Sequence, residues 1–148
     1  MWQQLFSLAN AATLVAWGVL VLGPRRWLPW VRYAGVGLLC LIYVALVATA
    51  LAGGFGPREG PAVDFTTIEG VRAIFSSDGG VVAGWTHYLA LDLFAGVWIA
   101  GHADRHGLGR MAQAPVLLLT FMAGPAGLLL YYLVALSRRG KGTDRPRR

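Results

Sequence analysis

The stretch GWTHYLALDLFAG, residues 84–96, decides how this chain is read. Its apolar residues suit a membrane-crossing helix, yet His87 and Asp92 stand in the middle of the run. A charged aspartate at mid-bilayer costs about 3 kcal/mol even on the lenient insertion scales. A helix that keeps both groups needs neighbours to shelter them, so the reading turns on what flanks it.

The flanks are those of a membrane protein. Of 148 residues, 56% are hydrophobic and 14% charged, where a soluble chain carries about 25% charged residues spread along its length. The apolar residues gather into blocks of about 20, the length that crosses a hydrocarbon core of about 30 Å. These blocks cover about residues 5–22, 30–52, 81–101 and 114–136. Gly23-Pro24-Arg25-Arg26, the glycines before Pro57 and Ser137-Arg138-Arg139 separate or end them, as punctuating residues do. No block alternates apolar and polar residues, which excludes a transmembrane barrel. The expected fold is all-α, a polytopic membrane protein whose single domain, residues 1–137, is a four-transmembrane-helix bundle.

The loop between the second and third blocks has a pattern of its own. In FTTIEGVRAIF, Phe65, Ile68, Val71, Ile74 and Phe75 recur at three- and four-residue spacing. That predicts a short amphipathic helix, lying in the interface plane or capping the bundle. Residues 138–148 form a basic tail, expected to be disordered. Residues 1–4 carry no basic charge, so the first helix is expected to stay in the membrane rather than be cleaved. Cys40 is the single cysteine, which rules out an internal disulfide and predicts a small, buried packing residue.

The net charge of +6 does not point to nucleic acid. Six of the thirteen Lys/Arg lie in SRRGKGTDRPRR, directly after the last apolar block. Topology and anionic headgroups explain cations at that place. With four crossings, Lys/Arg divide eight to five in favour of the side that carries both termini, which puts both termini in the cytoplasm.

On a helix turning about 100° per residue, Leu91, Phe94 and Trp98 fall within about 60° of His87, whereas Asp92 lies about 140° away, near Trp85 and Gly96. Both polar groups are sheltered only if this helix is central, or if both border one wide cavity. Gly84 and Gly96 permit close neighbours for such a helix. His87 and Asp92 are the candidate catalytic pair, since ionisable groups within membrane segments mark function by default. The competing reading is interhelical glue, with bonds to Asn10, Thr13 or Thr120. Beyond the third block, GHADRHG sets His102 and His106 four residues apart, the spacing of a metal-ligand pair on one helix face. An ordinary polar helix end has the same letters. No phosphate loop, paired-cysteine motif or nucleophile elbow occurs.

Three segments carry a resemblance: LFSLANAATLVAWGVLVLGPR at 5–25, AIFSSDGGVVAGWTHYLALDLFAGVWI at 73–99 and APVLLLTFMAGPAGLLLYYL at 114–133. Together they make the chain resemble the plant neoxanthin-synthase type of membrane protein, the abscisic acid deficient 4-like (DUF4281) family. The W-x-H-Y-L-A-x-D-L-F core is its most specific part. Plant members act in plastids and promote conversion of the epoxy-carotenoid violaxanthin to allenic neoxanthin. This chain departs from them in starting its first helix with no transit peptide before it. Its Ala/Gly/Val/Arg-rich usage is more bacterial, so the expected location is a bacterial inner membrane and the substrate does not carry over with the fold.

The resemblance implies a carotenoid or related isoprenoid lipid as partner, rearranged by buried acid–base residues. Epoxide-to-allene conversion takes a proton from a polyene carbon and gives one to the epoxide oxygen, work that suits a carboxylate and an imidazole. Trp85, Tyr88, Trp98, Phe121 and Asn10 are the expected substrate-binding residues, with Phe94, Tyr131 and Tyr132 as further walls of a polyene slot. The alternatives are a metal- or haem-dependent oxygenase using His87 with His102 or His106, a non-catalytic carotenoid-binding or assembly protein, and a proton channel. The cofactor is accordingly none or a metal ion, and partners include a homo-oligomer or a second carotenoid enzyme. In AGPAG, residues 123–127, Pro125 predicts a kink or break starting near Thr120–Phe121, with Gly124 and Gly127 brought against the third helix.

Overall fold

The computed structural model describes residues 1–56 and 63–141, with side chains to residue 138. Its regular structure is helical throughout. The first helix, α1, spans Trp2–Leu22 and stops where Gly23 turns extended ahead of Pro24. The second, α2, runs continuously over Arg25–Leu51. It opens as a tight turn at Arg25–Trp27, widens to a π segment over Val31–Val36 and is regular from Gly37. Among the described residues these two are the helices long and apolar enough to cross a membrane.

A short helix, α3 (Ile68–Ile74), follows the loop, with the Thr67 hydroxyl accepting from the Gly70 N–H at 3.1 Å. It turns Gly70 and Ala73 inward, while Phe65, Ile68 and Val71 of the apolar stripe are exposed. An apolar stripe left outside the bundle is what a helix lying against lipid presents.

The long helix α4 (Asp78–Arg105) is the enclosed centre. Its 28 residues reach about 42 Å at 1.5 Å per residue. Val82, Thr86, Ala90, Leu93, Val97, Ala100 and Ala103 make one buried stripe at helical spacing. His87 and Asp92 lower the hydropathy of this helix, which separates it from α1 and α2 in apolar character. Alongside it, α1 runs parallel: Phe6 sits beside Trp85, and Gly96 receives the Trp17 ring so closely that a Cβ there would stand 2.5 Å from it. On another side α2 runs antiparallel, with Tyr43 beside His87 and Gly35 near Leu93.

The fourth block is not a single helix. It forms two helices, α5 (Arg110–Met122) and α6 (Gly124–Lys141), joined at Ala123 in a non-helical conformation, φ −155° and ψ 81°. Going down α5, Gln113 meets Asp104 of α4, and the Gly124 that follows its end meets Asp92. Going on along α6, Tyr131 meets Trp98 and His102, and Arg138 lines a cleft with His106. The partners on α4 thus descend from 104 to 92 and then climb back to 106, so α5 and α6 form a re-entrant hairpin.

The single fourth helix expected from sequence is thus two helices, and the break expected near Thr120–Phe121 falls at Ala123. Pro125 falls in the first turn of a new helix, where its missing N–H costs nothing, rather than bending an existing one. Gly127 packs against Thr120 of α5, not against the third helix: a Cβ on it would stand 2.5 Å from the Thr120 Cα. Among the described residues, Arg138 beside His106 lies at the end of the bundle opposite Trp2, where four crossings would have put the two on one side. Part of the expected tail is helical, as α6 continues to Lys141, and residues 142–148 lie outside the described residues. Cys40, expected to be buried, is exposed on the outer face of α2.

Candidate functional site

The break at Ala123 brings a helix end to the level of Asp92. A cleft of about 750 Å³ opens there between α1, α4 and the tip of the hairpin. Asn10, Trp85, Tyr88, Asp92, Phe121 and Gly124 line it, so five of the residues expected from sequence do meet. The Asp92 carboxylate lies against Gly124, where a Cβ would stand 2.6 Å from its Cγ. Among the described residues it has no hydrogen-bond partner. Thr13 and Thr120 donate to their own helices, at Ala9 O and Val116 O, so neither ties Asp92 to a neighbour as glue.

The opposite wall is ordered by a chain of polar contacts. The Trp85 indole N–H donates to Asn10 Oδ1 at 3.1 Å, and the Asn10 amide donates to Phe6 O at 2.7 Å. Phe121 stands edge-on to Trp17, ring centroids 5.5 Å apart. Non-helical backbone at membrane depth is tolerated where it is buried in protein or lines a cavity, and Ala123 lines this one. The positive end of the α6 dipole faces a carboxylate across it.

His87 is elsewhere. Its ring lies 5.1 Å from that of Tyr43 and borders a second cleft of about 640 Å³, walled by Phe55, Phe65, Phe75 and Gly84. The angular separation read from the sequence is real: the two groups occupy different flanks of α4 and share no cavity. Only Tyr88 lines both clefts.

Trp98, His102 and His106 form a column at the far end of α4. The Trp98 and His102 rings stack at 5.1 Å and the two histidines at 4.1 Å, with 18° between the imidazole planes. His102 Nδ1 meets the Tyr131 hydroxyl at 2.5 Å, and His106 Nδ1 meets His102 O at 2.9 Å. A metal is bound along lone pairs that lie in the ring plane. Near-parallel rings stacked face to face do not aim those lone pairs at one ion. No group of three or more potential ligands occurs among the described residues. Trp98 belongs to this column and not to the Asp92 cleft.

Sequence reading missed two features. One is the reversal of the chain at Ala123; the approach of Gly124 to the third block, at Asp92, is as the sequence predicted. The other is a polar clasp: Arg25 pairs with Asp104 at 2.8 Å and donates to Gln113, whose amide donates to Asp104 at 2.7 Å and to Leu108 O at 2.6 Å. It ties the α1–α2 turn to α4 and α5 and holds the hairpin base. Gln113 is buried, and a glutamine just ahead of the apolar run of α5 is the one hint the sequence offers.

A family model described as ABA DEFICIENT 4-like matches residues 4–131. No curated protein and no solved structure matches the chain.

Proposed function

The chain belongs to the ABA DEFICIENT 4-like family, and on that premise we propose that it is an integral membrane protein that binds a carotenoid or related isoprenoid lipid in the Asp92 cleft and rearranges it there. One observation carries this reading: a carboxylate with no hydrogen-bond partner among the described residues borders an aromatic-walled cleft at the level where the hairpin breaks. A half-buried acid beside apolar walls suits general acid–base chemistry on a lipid. The proposed setting is a bacterial inner membrane.

In this reading the Asp92 carboxylate takes a proton from a polyene carbon. The electron pair of that C–H bond becomes a new C=C bond as the epoxide C–O bond breaks, and the oxygen takes up a proton. The substrate gains and loses one proton, so the step needs no oxidant. Trp85, Phe121 and Tyr88, which line the cleft, hold the flat chain, and Tyr88 serves as the proton donor to the oxygen. His87, in its separate cleft, takes no part.

The test is expression of the full chain in carotenoid-producing bacteria, followed by pigment extraction from the purified protein and analysis of membrane carotenoids. Copurifying pigment together with a new isomer supports the reading. Bound pigment with no new isomer reduces it to a binding protein, and absence of both overturns it.

A further inference from the structure

We infer that the chain sits with the α1–α2 turn, the hairpin base and Arg138 in the cytoplasmic, anionic leaflet, and with Met1 on the opposite side. This rests on the membrane reading and is independent of the substrate.

The hairpin sorts the charges. Arg25, Arg26, Arg32, Arg105, Arg110 and Arg138 all stand at one end of the bundle, while Arg72 on α3 stands at the other. Arg139 and Lys141 follow on the last turns of α6. Asp64, Glu69 and Asp78 gather at the end with Arg72, whereas the basic end has Asp104, already paired with Arg25. Had the fourth block crossed, the Lys/Arg would divide eight to five. Because it turns back, one end is strongly basic and the other net acidic among the described residues.

Two of the cations serve the fold: Arg25 clasps Asp104, and Arg110 donates to Val21 O and Gly23 O at 2.8 Å. Arg26, Arg32, Arg105 and Arg138 are exposed and left for headgroups. At the same end Trp27, Trp30 and Tyr33 are exposed at the start of α2, where aromatic rings anchor a helix at the membrane–water boundary. Arg32 lies about 10 Å along α2, within reach of the boundary by snorkelling. Short loops and helix ends rich in Lys/Arg stay in the cytoplasm, where lipid surfaces are anionic.

Single cysteines in the full chain, on a Cys40→Ser background, test this in bacterial spheroplasts with a membrane-impermeant maleimide. Gln3→Cys and Ser76→Cys report one end; Met111→Cys and Ser137→Cys report the other. After lysis all four react, which sets the full signal. We expect Gln3→Cys and Ser76→Cys to reach that signal in intact spheroplasts, and the other two to stay unlabelled until lysis. Labelling of Met111→Cys in intact spheroplasts overturns the orientation. Equal labelling of Gln3→Cys and Ser137→Cys overturns the hairpin topology itself.

Discussion

The carboxylate of Asp92 and the Cα of Gly124 are in contact, and no side chain fits between them. Gly124→Ala therefore displaces the Asp92 carboxylate or the hairpin tip. Overpacking of this kind costs about 1–3 kcal/mol. The expected outcome is a lowered melting temperature in detergent, recovered largely when Asp92→Ala is added. Additive losses in the double variant would show that the two residues do not share the strain.

The clasp at the other end predicts a different loss. Gln113 is 1% exposed and joins Arg25, Asp104 and Leu108 O. Removing its amide in Gln113→Ala leaves buried polar groups short of partners, a cost of about 1–3 kcal/mol. The neighbouring Met111, 90% exposed, provides the comparison: Met111→Ala is expected to melt with the parent protein. Equal melting of the two variants would remove the clasp from the stability of the hairpin base.

How much of this was legible depends on what each feature requires of the letters. Length and apolarity alone define α1 and α2, and helical angle alone puts His87 and Asp92 on different flanks of α4. The reversal at Ala123 was not legible, because Pro125 has the same letter at a kink and in the first turn of a new helix. Only the approach of Gly127 to Thr120 and of Gly124 to Asp92 distinguishes them, and both are properties of packing. The clasp joins residues 79 and 88 positions apart or nearly so in the chain, Arg25 to Asp104 and to Gln113, beyond any local pattern.

A pH response is expected in the loop. The Asp64 carboxylate accepts from the Thr66 N–H and hydroxyl, each at 2.8 Å, and these bonds hold its pKa below the ordinary carboxylate value. A lowered folded pKa means a contribution that is present above the ordinary value and lost as pH falls through the lowered one. Hydrogen exchange at Thr66 and along α3 should accelerate relative to its intrinsic rate in that acid window. Asp64→Ala should show the faster exchange already at neutral pH, and an unchanged rate there would detach the loop from this carboxylate.

Asp92→Asn separates chemistry from packing. Asparagine keeps the size of the side chain against Gly124 and removes the group that can carry a proton. Because Asp92 has no hydrogen-bond partner among the described residues, little interhelical bonding is at stake. Polar contacts between membrane helices contribute about 0.6 kcal/mol on average in any case. The variant should therefore melt close to the parent protein, retain pigment and form no rearranged product. His87→Ala, altered in the other cleft, should retain turnover. If His87→Ala abolishes product while Asp92→Asn does not, the reacting site is the Tyr43–His87 cleft, and the contact between Asp92 and the hairpin is structural.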